Sequence, residues 1–167
     1  VCGVRQVKVL FIGDIFGEPG RRALARAVPR LVAQRQIDIV IGNGENAAGG
    51  FGITPELAEE LFDLGLAVIT TGNHAWDKKE ILDYFPREPR LLRPANYPSG
   101  VPGQGSVVVE SAGGEQLGVL QLMGRAYMPT LDCPFQVAKK ELAALKKRTV
   151  AVIVDMHAEA TSEKMAM

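Results

Sequence analysis

Histidine occurs only twice in this 167-residue chain, and both copies stand where an apolar run gives way to polar residues. His74 follows "VITTGN", and His157 follows "VIVDM". Asp14 ends "VLFIGD", and Glu45 and Asn46 follow "VIGNG". Together with Asn73, these runs deliver two carboxylates, two carboxamides and two imidazoles. Such donors suit divalent iron, manganese or zinc, and no thiolate is among them. Converging carboxylates repel one another unless a cation neutralises them. A pair of divalent ions would satisfy the set, acidify a water and clamp a phosphoryl group. Each residue taken singly also has a structural reading. Asp14 suits a turn, and Asn46 and Asn73 suit turns beside glycine; either histidine could be a satisfied, partly buried side chain. Their joint placement favours chemistry. Glu45, a glycine-flanked acid with no capping task, favours it most.

Residues so scattered need elements that end at a common point. Residues 7–12 form a continuous β-branched-rich run, the pattern of a strand buried on both faces. Residues 37–41 and 66–71 repeat it. Leu24, Val28, Leu31 and Val32 fall at helical spacing, with Pro19 near the helix start and Pro29 expected to kink it. Thr54-Pro55 predicts an N-cap with proline at the first helical position, followed by the stripe Leu57, Leu61 and Leu64. A short helix is expected over 78–84 and a Pro/Gly-rich loop over 93–105. Runs 106–110 and 117–122 flank "SAGGEQ" and predict a hairpin. A helix over 135–147 and a strand over 150–154 complete the pattern. The implied class is α/β, with parallel strands early and antiparallel strands later. Loops at the carboxyl ends of such strands are where ligands bind.

Nineteen basic residues balance nineteen acidic ones, so no global field draws the chain to duplex nucleic acid or a membrane surface. The composition, 47% hydrophobic and 23% charged, is that of a globular protein, and the length predicts one domain over residues 1–167. Cys2 and Cys133 make neither a disulfide framework nor a zinc spacing, which predicts a reducing, cytoplasmic setting. The early run "VKVLFIGDIFG" is too short to span a bilayer and carries no targeting pattern.

Other motifs weigh less. "GNGENA" fits a dinucleotide fingerprint in form, but that motif opens directly into a helix, whereas here the next helix signal waits until Thr54. "GDIFGEPGRR" is glycine-rich but lacks the lysine of a phosphate loop. Arg21 and Arg22 read as a solvated helix face. Arg93 and Arg125 read as structural ion-pair partners, and Trp76 as a packing anchor.

The stretches "LFIGDIFGEPGRR", "NGENAAGGFG", "TGNHAWDKKEI", "RPANYP", "GRAYMPTLDCPF" and "HAEATSEKMAM" resemble the YmdB-like bacterial metallophosphoesterases, a branch of the calcineurin-like phosphoesterase superfamily. The resemblance runs in order from Val7 to Met167. It implies an α-β-β-α sandwich with a dinuclear metal centre and hydrolysis of phosphodiesters such as 2′,3′-cyclic nucleotides by a bridging hydroxide. Carried over motif by motif, Asp14 and Asn46 would bind the first metal, Glu45 would bridge both, and Asn73 and His157 would bind the second. Iron or manganese is the expected metal, with zinc as a third candidate. His74 would protonate the leaving oxygen. The wider superfamily has an Asp-x-His motif where this chain has Asp14-Ile15-Phe16, and in this branch Asn46 takes the vacancy.

The family pattern continues into a "GTHTH"-like motif that these 167 residues do not contain. The chain therefore reads as truncated at its C-terminus, with an incomplete second sheet and a possible homo-oligomer built on the exposed edge. The alternative to an active phosphodiesterase is a catalytically incomplete fragment that serves as a nucleotide-binding or interaction domain. Retention of metal separates the two.

Overall fold

In the computed structural model, which describes residues 6–167, the N-terminal half alternates strand and helix. β1 (Val9–Asp14), α1 (Gly17–Arg35), β2 (Ile39–Asn43), α2 (Pro55–Asp63) and β3 (Val68–Thr70) follow one another, and a single 3-10 turn at Lys79–Ile81 comes after them. The three strands form one parallel sheet in the order β1-β2-β3. β4 (Ser106–Glu110), β5 (Gln116–Met123), α3 (Pro134–Leu145), β6 (Ala151–His157) and α4 (Thr161–Ala166) make up the rest. There β4 and β5 are the expected antiparallel hairpin, but β6 returns through α3 to lie parallel to β5.

Alternation along the strands sorts side chains into layers. Val40 and Ile69 face α1 and α2, where they join Leu24, Val28, Ala58 and Leu61. Ile39, Ile41 and Val68 point the other way and meet Leu117 and Val119 of β5. Leu120 and Leu122 of β5 then pack on Ala138 and Leu145 of α3. The order is helices, sheet, sheet, helix, which is the sandwich that the motifs imply. Burying a Leu, Ile or Val side chain contributes about 1.5–3 kcal/mol, so each layer boundary is held by several such contributions. One polar link crosses the middle: Gln121, fully buried, exchanges two hydrogen bonds with the backbone of Thr71.

Three strand ends lie further along the chain than the sequence suggests, whereas β3 (Val68–Thr70) is shorter at both ends than the expected 66–71. β1 and β2 each run two residues past the apolar stretch, because Gly42 and Asn43 still pair with Ile12 and Asp14. β6 extends to His157, three residues beyond the expected end, through its pairing with Met123. Ladder pairing is a backbone property and does not stop where hydrophobicity does. α1 continues through Pro29 as one helix, and the helix expected over 78–84 is reduced to the Lys79–Ile81 turn. Thr54 caps α2 as expected, its side chain accepting from the Leu57 N–H at 3.3 Å. Arg21 is not a solvated residue: it donates to Glu60 at 3.3 Å and to the Ala47 carbonyl at 2.6 Å, tying α1 to α2 and the intervening loop. Arg22 does lie exposed beside Glu18. Trp76 packs edge-on against Tyr97 at 4.4 Å between centroids, an anchor as expected. Cys2 lies outside the described residues, and Cys133 is a half-buried free thiol just before α3.

Candidate active site

Parallel strands direct their carboxyl ends to one side, and the two sheets present those ends together. A cleft of about 560 Å³ opens there, and its walls include Asp14, Glu45, Asn46, Asn73, His74 and His157. All six residues singled out in the sequence are therefore brought together.

Glu45 sits at the centre. It is only 4% exposed, and its Oε1 lies 3.3 Å from His157 Nε2. Its Oε2 accepts from the His74 backbone N–H at 3.3 Å. Burial raises the Glu45 carboxyl above its ordinary range, a rise that the His74 N–H and ring oppose and the charges of Asp14 and Asp155 reinforce. His157 Nε2 also pairs with Asn73 Oδ1 at 2.9 Å, and burial lowers the tendency of this imidazole to hold a second proton. Asp14 is exposed and accepts from Asn46 Nδ2 at 2.9 Å. Gly72 makes this closeness possible. A Cβ at that position would collide with Glu45 Oε2 and stand 2.5 Å from His157 Nε2.

His74 has its own partners. Its Nδ1 lies 2.6 Å from Asp77 Oδ2, which leaves Nε2 as the nitrogen available to a ligand. Phe51 stands edge-on to the imidazole, 5.3 Å between centroids. The spacing His74 to Asp77, one helical turn, was visible in the sequence, but the pairing depends on the turn adopted by residues 73–77.

Two supporting residues escaped the sequence reading. Asn43 ends β2 and is 7% exposed. It accepts from the Glu45 N–H at 3.1 Å and donates to the Thr71 carbonyl at 3.0 Å, thereby fixing the turn that aims Glu45. The first Asn of "GNGEN" was the available signal. Asp155 lines the same cleft from β6. Burial raises its carboxyl, an effect that Thr70 and Asn43 only partly offset, and its Oδ2 lacks a hydrogen bond of good geometry. Asp155 directly follows the apolar run 150–154 expected as a strand, so its place at that strand's end was the available signal, although pairing carries β6 on to His157. The glycines of "GNGENA" act in packing: a Cβ on Gly44 would come within 2.9 Å of Ile69 Cγ2. No helix opens there, against a dinucleotide site.

The donors present suit divalent cations. Asn46 Oδ1 is buried without a partner, and a buried unpaired carbonyl is costly unless something supplies positive charge. Glu45, Asn73 and His157 now satisfy one another, and a cation would replace those contacts. Among the described residues, no group of three or more His, Cys, Asp and Glu side chains stands ready around an ion. That fits a set in which two of five donors are carboxamides and Asp14 is turned toward Asn46.

The YmdB-like protein family matches residues 10–167. The chain belongs to the YmdB-like family. Across 161 residues it is 47% identical to a 2′,3′-cyclic-nucleotide 2′-phosphodiesterase of Bacillus subtilis (strain 168), covering 96% of this chain and 61% of the relative. Among solved structures it resembles a hypothetical protein from Thermus thermophilus, with TM-score 0.82 and 44% identity over 95% of this chain and 60% of the other. It also resembles a protein described as a novel phosphatase, from Mycoplasma pneumoniae, with TM-score 0.87 and 34% identity over 97% of this chain and 59% of the other. The chain thus spans about three fifths of the length of these relatives. No helix among the described residues is long and apolar enough to cross a membrane.

Proposed function

We propose that this chain is a metal-dependent phosphodiesterase of the YmdB-like family acting on 2′,3′-cyclic nucleotides. Asp14, Glu45, Asn46, Asn73 and His157 would hold two divalent ions, iron or manganese by preference, with Glu45 shared between them. The observation that carries this reading is the buried Glu45 carboxylate, met by His157 and the His74 N–H in a cleft that also receives Asp14, Asn46 and Asn73. The name of the B. subtilis relative supplies the substrate class. What such ions contribute when bound is neutralisation of phosphoryl charge and acidification of the attacking water.

The chain's own residues do the rest. Asp77 holds the His74 ring through Nδ1, so Nε2 is placed to give a proton to the departing oxygen. The water releases one proton to solvent as its oxygen forms the new bond to phosphorus, the bond from phosphorus to O2′ breaks, O2′ takes the proton from His74, and His74 regains a proton from solvent. The product is a 3′-phosphomonoester with a free 2′-hydroxyl. Asn43 and Gly72 keep Glu45 and His157 in place throughout.

The test is elemental analysis after exposure to manganese or ferrous iron, followed by assay on a 2′,3′-cyclic nucleotide. About two tightly held ions per chain and release of the 3′-nucleotide support the reading. A chain that holds no metal and turns over no substrate sinks it and leaves the nucleotide-binding or interaction domain as the alternative. Glu45→Ala should empty the site in the first case.

A further inference from the structure

We infer that Phe51, with Phe16 beside it, is the platform on which the nucleobase of the substrate stacks, so that the site favours phosphodiesters that carry a base. The inference rests on the phosphodiesterase reading above and adds the side of the cleft on which the nucleoside lies.

Phe51 is 60% exposed and Phe16 is 57% exposed. Single exposed apolar residues are ordinary, but two large rings on segments that meet at Gly50, one of them touching the cleft residue His74, are less so. Their exposure is built into the backbone. Gly49, Gly50 and Gly52 around Phe51 have φ of 70°, 101° and 76°, a region that residues with a Cβ rarely enter. The Phe16 ring covers Gly50 so closely that a Cβ there would stand 2.7 Å from Phe16 Cζ. Phe16 follows Asp14 by two positions, and Phe51 follows Asn46 by five, so both rings rise from loops that also carry candidate metal donors.

The orientation comes from the chemistry of the substrate. In a 2′,3′-cyclic phosphate, both ester oxygens belong to one ribose. The oxygen that receives the proton from His74 is therefore part of the nucleoside, and the nucleoside must lie on the His74 side of the phosphorus. Phe51 is the ring in contact with His74 and open to solvent. Of the other aromatic residues nearby, Trp76 and Tyr97 are engaged with each other, and Phe11, also exposed, lines the cleft from β1, the strand that ends at Asp14, rather than against His74. Stacking on a ring tolerates any base, because every base has a π-face.

The experiment compares adenosine 2′,3′-cyclic phosphate with glycerol 1,2-cyclic phosphate, which has the same strained ring and no base. For Phe51→Ala, the ratio of kcat/KM for the nucleotide to that for the base-free diester should fall about tenfold, mostly through KM. Phe51→Trp should restore it. An equal fall on both substrates would mean that the ring merely holds His74, and an unchanged ratio would mean that no base touches it; either overturns the platform. If the wild-type chain turns over neither substrate, the phosphodiesterase reading fails and binding of adenosine 3′-monophosphate decides the platform by itself. Roughly tenfold weaker binding by Phe51→Ala sustains it, and equal or absent binding overturns it.

Discussion

His74 and Glu45 illustrate how two residues in one cleft take different tasks from their surroundings. His74 is about one-third exposed and bound through Nδ1 to Asp77, which leaves Nε2 open to the cleft, as the proposed acid role requires. Replacing it by Asn should lower turnover by about 10²–10⁴ while metal content is kept; parallel loss of both would refute the acid role. Asp77→Asn should lower turnover by about tenfold on a cyclic nucleotide. It should cost less on a p-nitrophenyl diester, whose leaving group needs no proton. Glu45 is buried, and its carboxyl is raised from the ordinary value of 4.5 chiefly by loss of solvation. The folded chain therefore binds more protons than the unfolded chain just above that value, and Glu45 reduces stability as pH rises through the window. Without added metal, Glu45→Gln should be more resistant to urea than wild type, by a margin that widens from pH 4.5 toward neutrality. A constant margin across that range would contradict the assignment. His157 works in the other sense: its lowered pKa means that stability is gained as pH rises toward 6.5.

At the scale of elements, short segments around glycine do most of the positioning. Gly72 ends the β3 segment with no room for a side chain, and Gly72→Ala would push Glu45 and His157 apart. The expected outcome is retained secondary structure by circular dichroism with roughly tenfold or greater weakening of metal retention. The C-terminal segment is held by a different device. Glu163 of α4 accepts from the backbone N–H groups of Arg125 at 2.9 Å and Ala126 at 3.1 Å, and the Gly124 N–H donates to the His157 carbonyl at 2.8 Å. These bonds give "HAEATSEK" a structural function beside the proposed chemical one: Glu163 pins α4 to the loop after β5, while the pairing of β6 with β5 carries His157 to the cleft. Thr54 is purely structural, and Thr54→Ala should cost about 1 kcal/mol of stability with little effect on the cleft.

For the whole molecule, the two sheets meet across an apolar layer, and the polar cleft begins where that layer ends. Ile39, Ile41, Leu117 and Val119 form the dry part, while Asp155 and His157 continue β6 toward the wet end. Metal bound to the folded chain alone must stabilise it. Manganese at about a hundred times its dissociation constant should add about 2.7 kcal/mol to the unfolding free energy, and Glu45→Ala should abolish that gain. An unfolding midpoint indifferent to manganese and to chelator would count against a metal site formed by both sheets.

The amino-acid order alone determined the alternation of strands and helices, the hairpin, the Thr54 cap and the six polar residues at strand ends. Each is a local pattern: period two or 3.6, a cap, or a glycine before an acid. Strand ends were misjudged because hydrophobicity stops at Ile12 and Ile41 while backbone pairing continues to Asp14 and Asn43. Arg21 looked like a surface residue because its partners, Ala47 and Glu60, are remote in sequence. Asn43 and the contact of Phe51 with His74 were hidden for the same reason. Their significance lies in which groups the packed sheets bring within hydrogen-bonding or ring contact, and across tens of residues only the tertiary fold sets those distances.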